Sequence, residues 1–249
     1  IAIMSEDASQ DAKHVVRRGC NSQWLIVGTI YGTKQHAKAT RVLIKRELAP
    51  VSRKILFITS GSAEFARKTS FFIPGIFRKL KQSMSGLPEV LGLFSGVPSD
   101  ISLRLAYYKN RNQEKRGNLN PAIYKCGLLW YSPLVPMRSA DFEKYIDFIY
   151  TICKKYDIEP AITLTSLSAN VFDSTLPLVF SPGTSDEQRA FDCYRELLSS
   201  GQRLGFTPYR LHSAFMHTHF TRNTTHTTFA RQIKNTIDPK NIMSPGRYE

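Results

Sequence analysis

The chain has 249 residues, 42% of them hydrophobic and 22% charged, which is enough apolar material for one large domain or two modest ones and too much for intrinsic disorder. Its formal charge of +14 would draw a nucleic acid, an anionic membrane or an acidic protein. The basic residues are scattered, however, and no helix-turn-helix, zinc-finger or aromatic-basic strand signature accompanies them, so a nucleic-acid partner is not expected.

In chain order, residues 1–11 (Ile-Ala-Ile-Met-Ser-Glu-Asp-Ala-Ser-Gln-Asp) lack both the basic start and the long apolar core of a signal peptide, and residues 5–11 read as a polar connection. The absence of an initial methionine suggests a chain cut from something longer. Residues 24–31 are β-branched and aromatic and predict a strand ending at Gly32. Thr33 is then placed to cap a helix that runs to Leu48, with Pro50 just beyond. Residues 54–59 predict a second strand. Residues 60–100 alternate aromatic and basic positions with Pro74, Gly75, Gly86 and Pro88; they read as a loosely helical excursion, or as a membrane-facing or access-channel segment. Residues 101–108 suggest a strand or short helix, and 109–125 a basic, Asn-rich loop.

Residues 126–137 are strand-like, with Pro133 and Pro136 confining the strand to an edge or a bulge. Ser139 is placed to cap a helix to about Tyr156, whose apolar stripe is Phe142, Tyr145, Ile146, Phe148, Ile149, Ile152 and Cys153. A strand pair at 160–168 and 170–181 is followed by a helix at 185–204, a strand carrying Tyr209 and Arg210, a polar His/Thr segment, and a short helix at 229–237. Strand-helix-strand occurs twice. The expected fold class is therefore α+β, a mainly antiparallel sheet covered by helices and built from duplicated ferredoxin-like strand-helix-strand units. Gly-Thr-Ile-Tyr-Gly at 28–32 has the wrong spacing for a dinucleotide fingerprint.

No stretch approaches the ~20 apolar residues needed to span a bilayer. Cys20, Cys126, Cys153 and Cys193 are widely spaced without a Cys-x-x-Cys, and they read as buried, reduced thiols of an intracellular, cytoplasmic protein. His212, His217, His219 and His226 lie close in sequence, and His217 and His219 would share a face if their segment were extended. Their spacing matches no metal motif, so solvated loop histidines are expected rather than a zinc site. Ser-Gly-Ser at 60–62 lacks nucleophile-elbow spacing, and no Ser/His/acid trio assembles locally.

The most one-sided stretch surrounds Tyr209 and Arg210. Gly205 and Pro208 deliver a phenol and a guanidinium side by side, and between Glu196 and Asp238 there is no Asp or Glu, while Arg203, Arg210, Arg222, Arg231 and Lys234 fall in that gap. Such a pair can grip an anion. It can equally be a strand-edge arginine bonded to a backbone carbonyl or a distant acid, and the residues alone leave both readings open.

Four segments in order carry a family resemblance: Trp-Leu-Ile-Val-Gly-Thr-Ile-Tyr-Gly-Thr at 24–33, residues 126–137, Pro-Tyr-Arg-Leu-His-Ser-Ala-Phe-Met at 208–216, and Ile-Asp-Pro-Lys-Asn-Ile-Met-Ser-Pro-Gly-Arg at 237–247. Together they resemble the C-terminal half of the vanillyl-alcohol oxidase and 4-cresol dehydrogenase family of flavoproteins. The resemblance implies an FAD-linked oxidase C-terminal cap. Residues 1–19 would connect from a missing N-terminal flavin-binding domain, 20–216 would form the cap and substrate domain, and 217–249 would return to the flavin domain.

It also implies the chemistry. A para-substituted phenol binds as its phenolate, a hydride leaves its benzylic carbon for flavin N5, and a quinone methide remains. Tyr209 and Arg210 match the family's phenolate-binding pair, Trp130 and Tyr131 would line the pocket or serve the core, and Ser244, Pro245, Gly246 and Arg247 would approach the cofactor. Residues 162–180, where many members attach their flavin, contain neither His nor Tyr, so FAD would be non-covalent. His217 stands where the family often has an acid. The flavin-binding half and its base lie outside the chain, so the chain alone would be inactive. A homo-oligomer is compatible with this reading, as is an alternative: a non-catalytic module whose basic surface meets an anionic partner.

Overall fold

The structure is a computed structural model in which residues 2–5, 24–52, 55–59, 87–100, 103, 107, 126–220 and 224–247 are described. The chain divides into two units, Ile1–Lys125 and Cys126–Glu249.

In the first unit, β1 (Ala2–Ser5) pairs antiparallel with β2 (Trp24–Val27), joining Ala2 to Val27 and Ser5 to Trp24. β1 lies at the segment expected to be only a connection, and β2 stops four residues short of the predicted strand. Helix α1 (Lys34–Leu48) begins where expected, because the Thr33 side chain accepts a hydrogen bond from His36 N at 3.2 Å and satisfies one of the helix's orphan donors. None of its residues is buried. Residues 55–59 form no strand; Phe57 instead lies beneath Arg41 and Lys45 of α1, with the cationic groups 5.3 and 5.9 Å from its ring centre. Helix α2 (Leu87–Phe94) closes on Gly96, and the Tyr31 hydroxyl donates to Phe94 O at 2.5 Å. Most of the 60–100 excursion and the basic 109–125 loop lie outside the described residues.

The second unit is built on a four-stranded antiparallel sheet in the order β4-β5-β3-β6. Its strands are β3 (Gly127–Pro136), β4 (Thr163–Ser166), β5 (Val171–Phe180) and β6 (Pro208–Arg210). β3 is central rather than at an edge, and Pro133 is accommodated in the second of the expected ways: pairing with β6 shifts register between Ser132 and Pro133. Pro136 ends the strand. Two helices, α3 (Ser139–Lys155) and α4 (Ser185–Leu204), cover one face. Ser139 is the first residue of α3 rather than its cap; Arg138 holds that place and bonds Asp141 through its guanidinium.

Alternation along β3 and β5 sends Leu129, Tyr131, Val135, Leu176 and Leu178 under these helices, all at most 1% exposed. There they meet Tyr145, Phe148, Ile149, Tyr194 and Leu197. The rings pack edge-on: Tyr131 lies 6.4 Å from both Phe148 and Tyr194, and Tyr145 lies 5.1 Å from Phe206. Burying each of these side chains contributes about 1.5–3 kcal/mol. Three tyrosine hydroxyls on this side are hydrogen-bonded: Tyr145 with Ser174 Oγ at 2.6 Å, Tyr131, which donates to Phe206 O at 3.4 Å, and Tyr194, which accepts from His212 N at 3.3 Å. Cys153 and Cys193 are buried between α3 and α4 as thiols, whereas Cys126 is only half-buried and Cys20 is outside the described residues.

Helix α4 is the best-defined element by its ends. The Thr184 side chain accepts from Asp186 N, acids occupy its first turn, and Gly205 closes it in the left-handed region at φ 91° while Phe206 N bonds back to Gly201 O at 2.8 Å. That closure turns the chain directly into β6. Helices α5 (Ser213–Phe220) and α6 (Thr224–Ile237) follow.

Candidate functional site

Asp173 and Leu134 are paired across β5 and β3, Arg210 and Ser132 across β6 and β3. Because residues directly opposite in an antiparallel sheet share a face, and Ser174 points to the helices, Asp173 belongs to the helix-free face. Trp130, Ser132 and Thr165 lie on this same face by register.

Consecutive strand residues ordinarily point to opposite faces. At β6 the register shift opposite Ser132 and Pro133 relaxes that rule. The Tyr209 hydroxyl reaches across β3 and donates to Asp173 Oδ2 at 3.1 Å, and the Arg210 guanidinium carbon lies 5.3 Å from the centre of the Tyr209 ring. Both side chains are exposed, Tyr209 at 45%. Among the described residues, no ion pair or hydrogen bond occupies the Arg210 guanidinium.

Electrostatics distinguish the three groups. Burial pushes the Asp173 carboxyl above its ordinary range, opposed by the Tyr209 hydrogen bond and the Arg210 charge. The Tyr209 phenol is also raised, by burial first and then by the Asp173 charge, with Arg210 acting the other way. Asp173 Oδ1 and Ser132 Oγ are buried and have no hydrogen-bond partner among the described residues. Buried polar atoms are ordinarily paired, and both of these lie on the same sheet face.

Tyr209 and Arg210 are the residues expected from the sequence, and Asp173 is not among them. The acid comes not from the chain around Arg210 but from β5, 36 residues before Tyr209. A usable signal was present: Asp173 is the single acid of a ten-residue apolar strand, where Asp is depleted. Arg210 therefore does not stand in an acid-free neighbourhood.

Other expected site residues are dispersed. Trp130 and Tyr131 alternate, so Trp130 joins the open face while Tyr131 is 0% exposed in the helix-covered core. Ser244, Pro245, Gly246 and Arg247 form an exposed turn, with Ser244 and Gly246 at φ 46° and 74°. That turn is anchored by Asp238, which receives Lys234 Nζ at 2.6 Å, Ile242 N at 2.9 Å and Met243 N at 2.8 Å. The Lys234 bond, and after it the backbone donors, lower the Asp238 pKa.

The His/Thr segment is helical as α5, which places positions 217 and 219 on different sides of a helix and removes the extended geometry in which they would share a face. The side chains of His217 and His219 lie outside the described residues, and His212 is held below its ordinary pKa by burial. Among the described residues, no three His, Cys, Asp or Glu side chains converge as a metal site, and no helix is long and apolar enough to cross a membrane.

No family model matches the chain. Among curated proteins it is similar to 1'-carboxy-chondrochloren decarboxylase of Chondromyces crocatus, 24% identical over 91% of this chain and 42% of that protein. It is also similar to the 4-cresol dehydrogenase [hydroxylating] flavoprotein subunit of Pseudomonas putida, 20% identical over 68% of this chain and 36% of the relative. Among solved structures, p-cresol methylhydroxylase with substrate bound superposes with a TM-score of 0.65 at 16% identity, over 99% of this chain and 46% of that one. The 4-ethylphenol oxidase of Gulosibacter chungangensis, in its isoeugenol complex, superposes with a TM-score of 0.71 at 18% identity, over 99% and 47%. The chain thus spans less than half the length of each. The resemblance read from the four segments is borne out, and the α+β fold is that of the C-terminal domain of FAD-linked oxidases.

Proposed function

We propose that this chain is the substrate-binding part of an FAD-dependent oxidoreductase that oxidises para-substituted phenols, with Tyr209 and Arg210 holding the phenolic oxygen. The observation that supports this most is the juxtaposition of the Tyr209 phenol and an exposed Arg210 guanidinium that has no hydrogen-bond or ion-pair partner among the described residues. In an environment poor in water, such donors favour the oxyanion over the neutral phenol. Bound FAD would supply the hydride acceptor, and its pyrophosphate would be held by residues outside this chain.

On this reading residues 1–19 arrive from the flavin-binding domain, residues 20–216 form the cap, and residues 217–249 return to that domain. The terminal segment suits such a role. Phe229, Ile233 and Ile237 recur every four residues along α6 at 62%, 46% and 66% exposure, and Ile242 and Met243 extend the apolar surface to the Ser244-Pro245-Gly246-Arg247 turn that would approach the cofactor. FAD would be non-covalent, and the chain by itself would neither retain flavin nor turn over.

The test is reconstitution. The purified chain should lack the visible flavin absorbance band, and co-expression with a flavin-binding half from a similar enzyme should restore both the band and its bleaching by a 4-alkylphenol. Arg210→Ala should slow that bleaching by about 10²-fold or more, the cost of removing a donor aimed at developing oxyanion charge. Reduction at the parental rate would refute the role of Arg210.

A further inference from the structure

We propose that the first unit docks on a bilayer surface of anionic phospholipid, with helix α1 lying along the headgroups. This docking is separate from the phenol site and does not depend on it. The charge of the chain is unevenly spread: residues 1–125 carry 21 Lys and Arg against 8 Asp and Glu, whereas residues 126–249 carry 13 against 12. The first unit therefore holds +13 of the formal +14, an asymmetry that attracts polyanions to one part of the chain.

Helix α1 displays this charge in an ordered form. Lys34, Lys38, Arg41 and Lys45 recur at intervals of three or four residues and make one stripe along the helix. Like charges at this spacing destabilise a helix, and Lys34 adds to the cost because it stands in the first turn, at the positive end of the dipole, where α1 has no acid. Glu47, the one acid of α1, is taken by Arg46 at 2.8 Å, and among the described residues no carboxylate pairs with the stripe. The helices of the second unit are balanced: α3 and α4 have acids in their first turns, and Arg138, Arg189 and Arg195 each meet an Asp three residues away. The uncompensated stripe is thus particular to α1 and not a habit of the chain.

The apolar neighbours of the stripe select lipid among the polyanions. Val42 lies four residues from Lys38 and three from Lys45 and is 62% exposed, and Leu43 beside it is 49% exposed. No residue of α1 is buried, so these side chains do not belong to a core. A nucleic-acid backbone takes cations and polar donors and has no use for exposed aliphatic groups. A phospholipid surface takes both: its phosphates meet the ammonium and guanidinium groups, while Val42 and Leu43 enter the acyl boundary. Lysine stems suit that depth, because they lie along apolar surface with the charge in the headgroup layer. A second copy of this chain would bring the same positive charge to the face and be repelled.

The experiment sediments the full chain with vesicles of phosphatidylcholine alone and of phosphatidylcholine mixed with phosphatidylserine. The parent should bind the mixed vesicles, release them as salt is raised, and not sediment with the neutral ones. Lys34→Gln combined with Lys38→Gln should weaken that binding about 25-fold, or about fivefold for each cation removed from the surface. Both side chains are exposed and the change relieves repulsion within α1, so the variant is expected to fold. Lys154→Gln with Lys240→Gln, two exposed cations of the second unit, lowers the net charge equally and should bind like the parent. Val42→Ser should weaken vesicle binding severalfold and leave binding to duplex DNA unchanged. Equal losses in the two lysine pairs, or equal binding to neutral vesicles, would overturn the role of α1. Unchanged vesicle binding in Val42→Ser, with duplex DNA bound more tightly than the mixed vesicles, would overturn the lipid reading in favour of nucleic acid. A folded parent that does not bind the mixed vesicles would overturn the proposal outright and leave the face to an acidic protein.

Discussion

Asp173 sits where a strand optimised for stability would place an uncharged residue. Its neighbours on β5 are apolar or hydroxylic, one of its oxygens is buried and unpartnered, and burial raises its carboxyl above the ordinary range. A carboxyl whose folded pKa is raised disfavours the folded state at neutral pH, where it must be ionised, and ceases to do so as pH falls through that raised value. Asp173→Asn should therefore raise the melting temperature at pH 7, and the gap between variant and parent should close in acid. The asparagine oxygen can still accept from Tyr209, so the comparison isolates the charge. Thermal unfolding monitored by circular dichroism at a series of pH values decides it; an Asn variant less stable than the parent at pH 7 and equally so in acid would show that the carboxylate is structural. The cost of keeping the acid is the expected signature of a residue retained for function rather than for folding.

At the scale of elements, the helix-covered core depends on close approach between α4 and β3. An ideal Cβ at Gly201 would lie 2.1 Å from the Tyr131 hydroxyl and 3.2 Å from Phe206 O. Tyr131 cannot swing aside, because its ring is enclosed by Phe148 and Tyr194. Alanine at an interior helix position would by itself favour the helix by about 1 kcal/mol, whereas overpacking a closed core costs about 1–3 kcal/mol. Gly201→Ala should therefore lower the melting temperature, and Tyr131→Phe, which removes the obstructing oxygen, should recover part of the loss. If the alanine variant is as stable as the parent, α4 stands farther from the sheet than the structure places it.

The same elements show what a sequence can disclose. Thr33 and the span 185–204 were legible because caps and amphipathic stripes are local, written within a few residues. Residues 55–59 look like a strand by composition and are not one, since a strand exists only where another offers it hydrogen bonds. The site divides in the same way: Tyr209 and Arg210 are neighbours in sequence, but Asp173 joins them only through pairing of β5 and β6 to opposite edges of β3.

For the molecule as a whole, carboxylates pull in two directions as pH falls. Glu196 is held below its ordinary pKa by Lys155 and Tyr156, Asp238 by Lys234 and two backbone N–H groups, and Asp192 by Gln188 and Arg195. Each depressed carboxyl contributes stability that is present above the ordinary carboxylate pKa and is lost as pH falls through the folded value. These groups tie α3 to α4, fix the terminal turn to α6 and brace the exposed side of α4. Asp173 runs opposite to them and, among the described residues, is the one carboxyl raised by burial. Protonation also removes negative charge from a chain that already has a formal charge of +14, so repulsion among its 34 Lys and Arg residues grows as the bridges weaken. The melting temperature should therefore drop between about pH 5 and pH 3, where ordinary carboxylates titrate. Moderate salt should recover part of that drop by screening net repulsion, even though it also weakens the exposed pairs. A melting temperature that rises through this range would mean that Asp173 outweighs the other three; one that falls further when salt is added would mean that the bridges, not the net charge, govern acid stability.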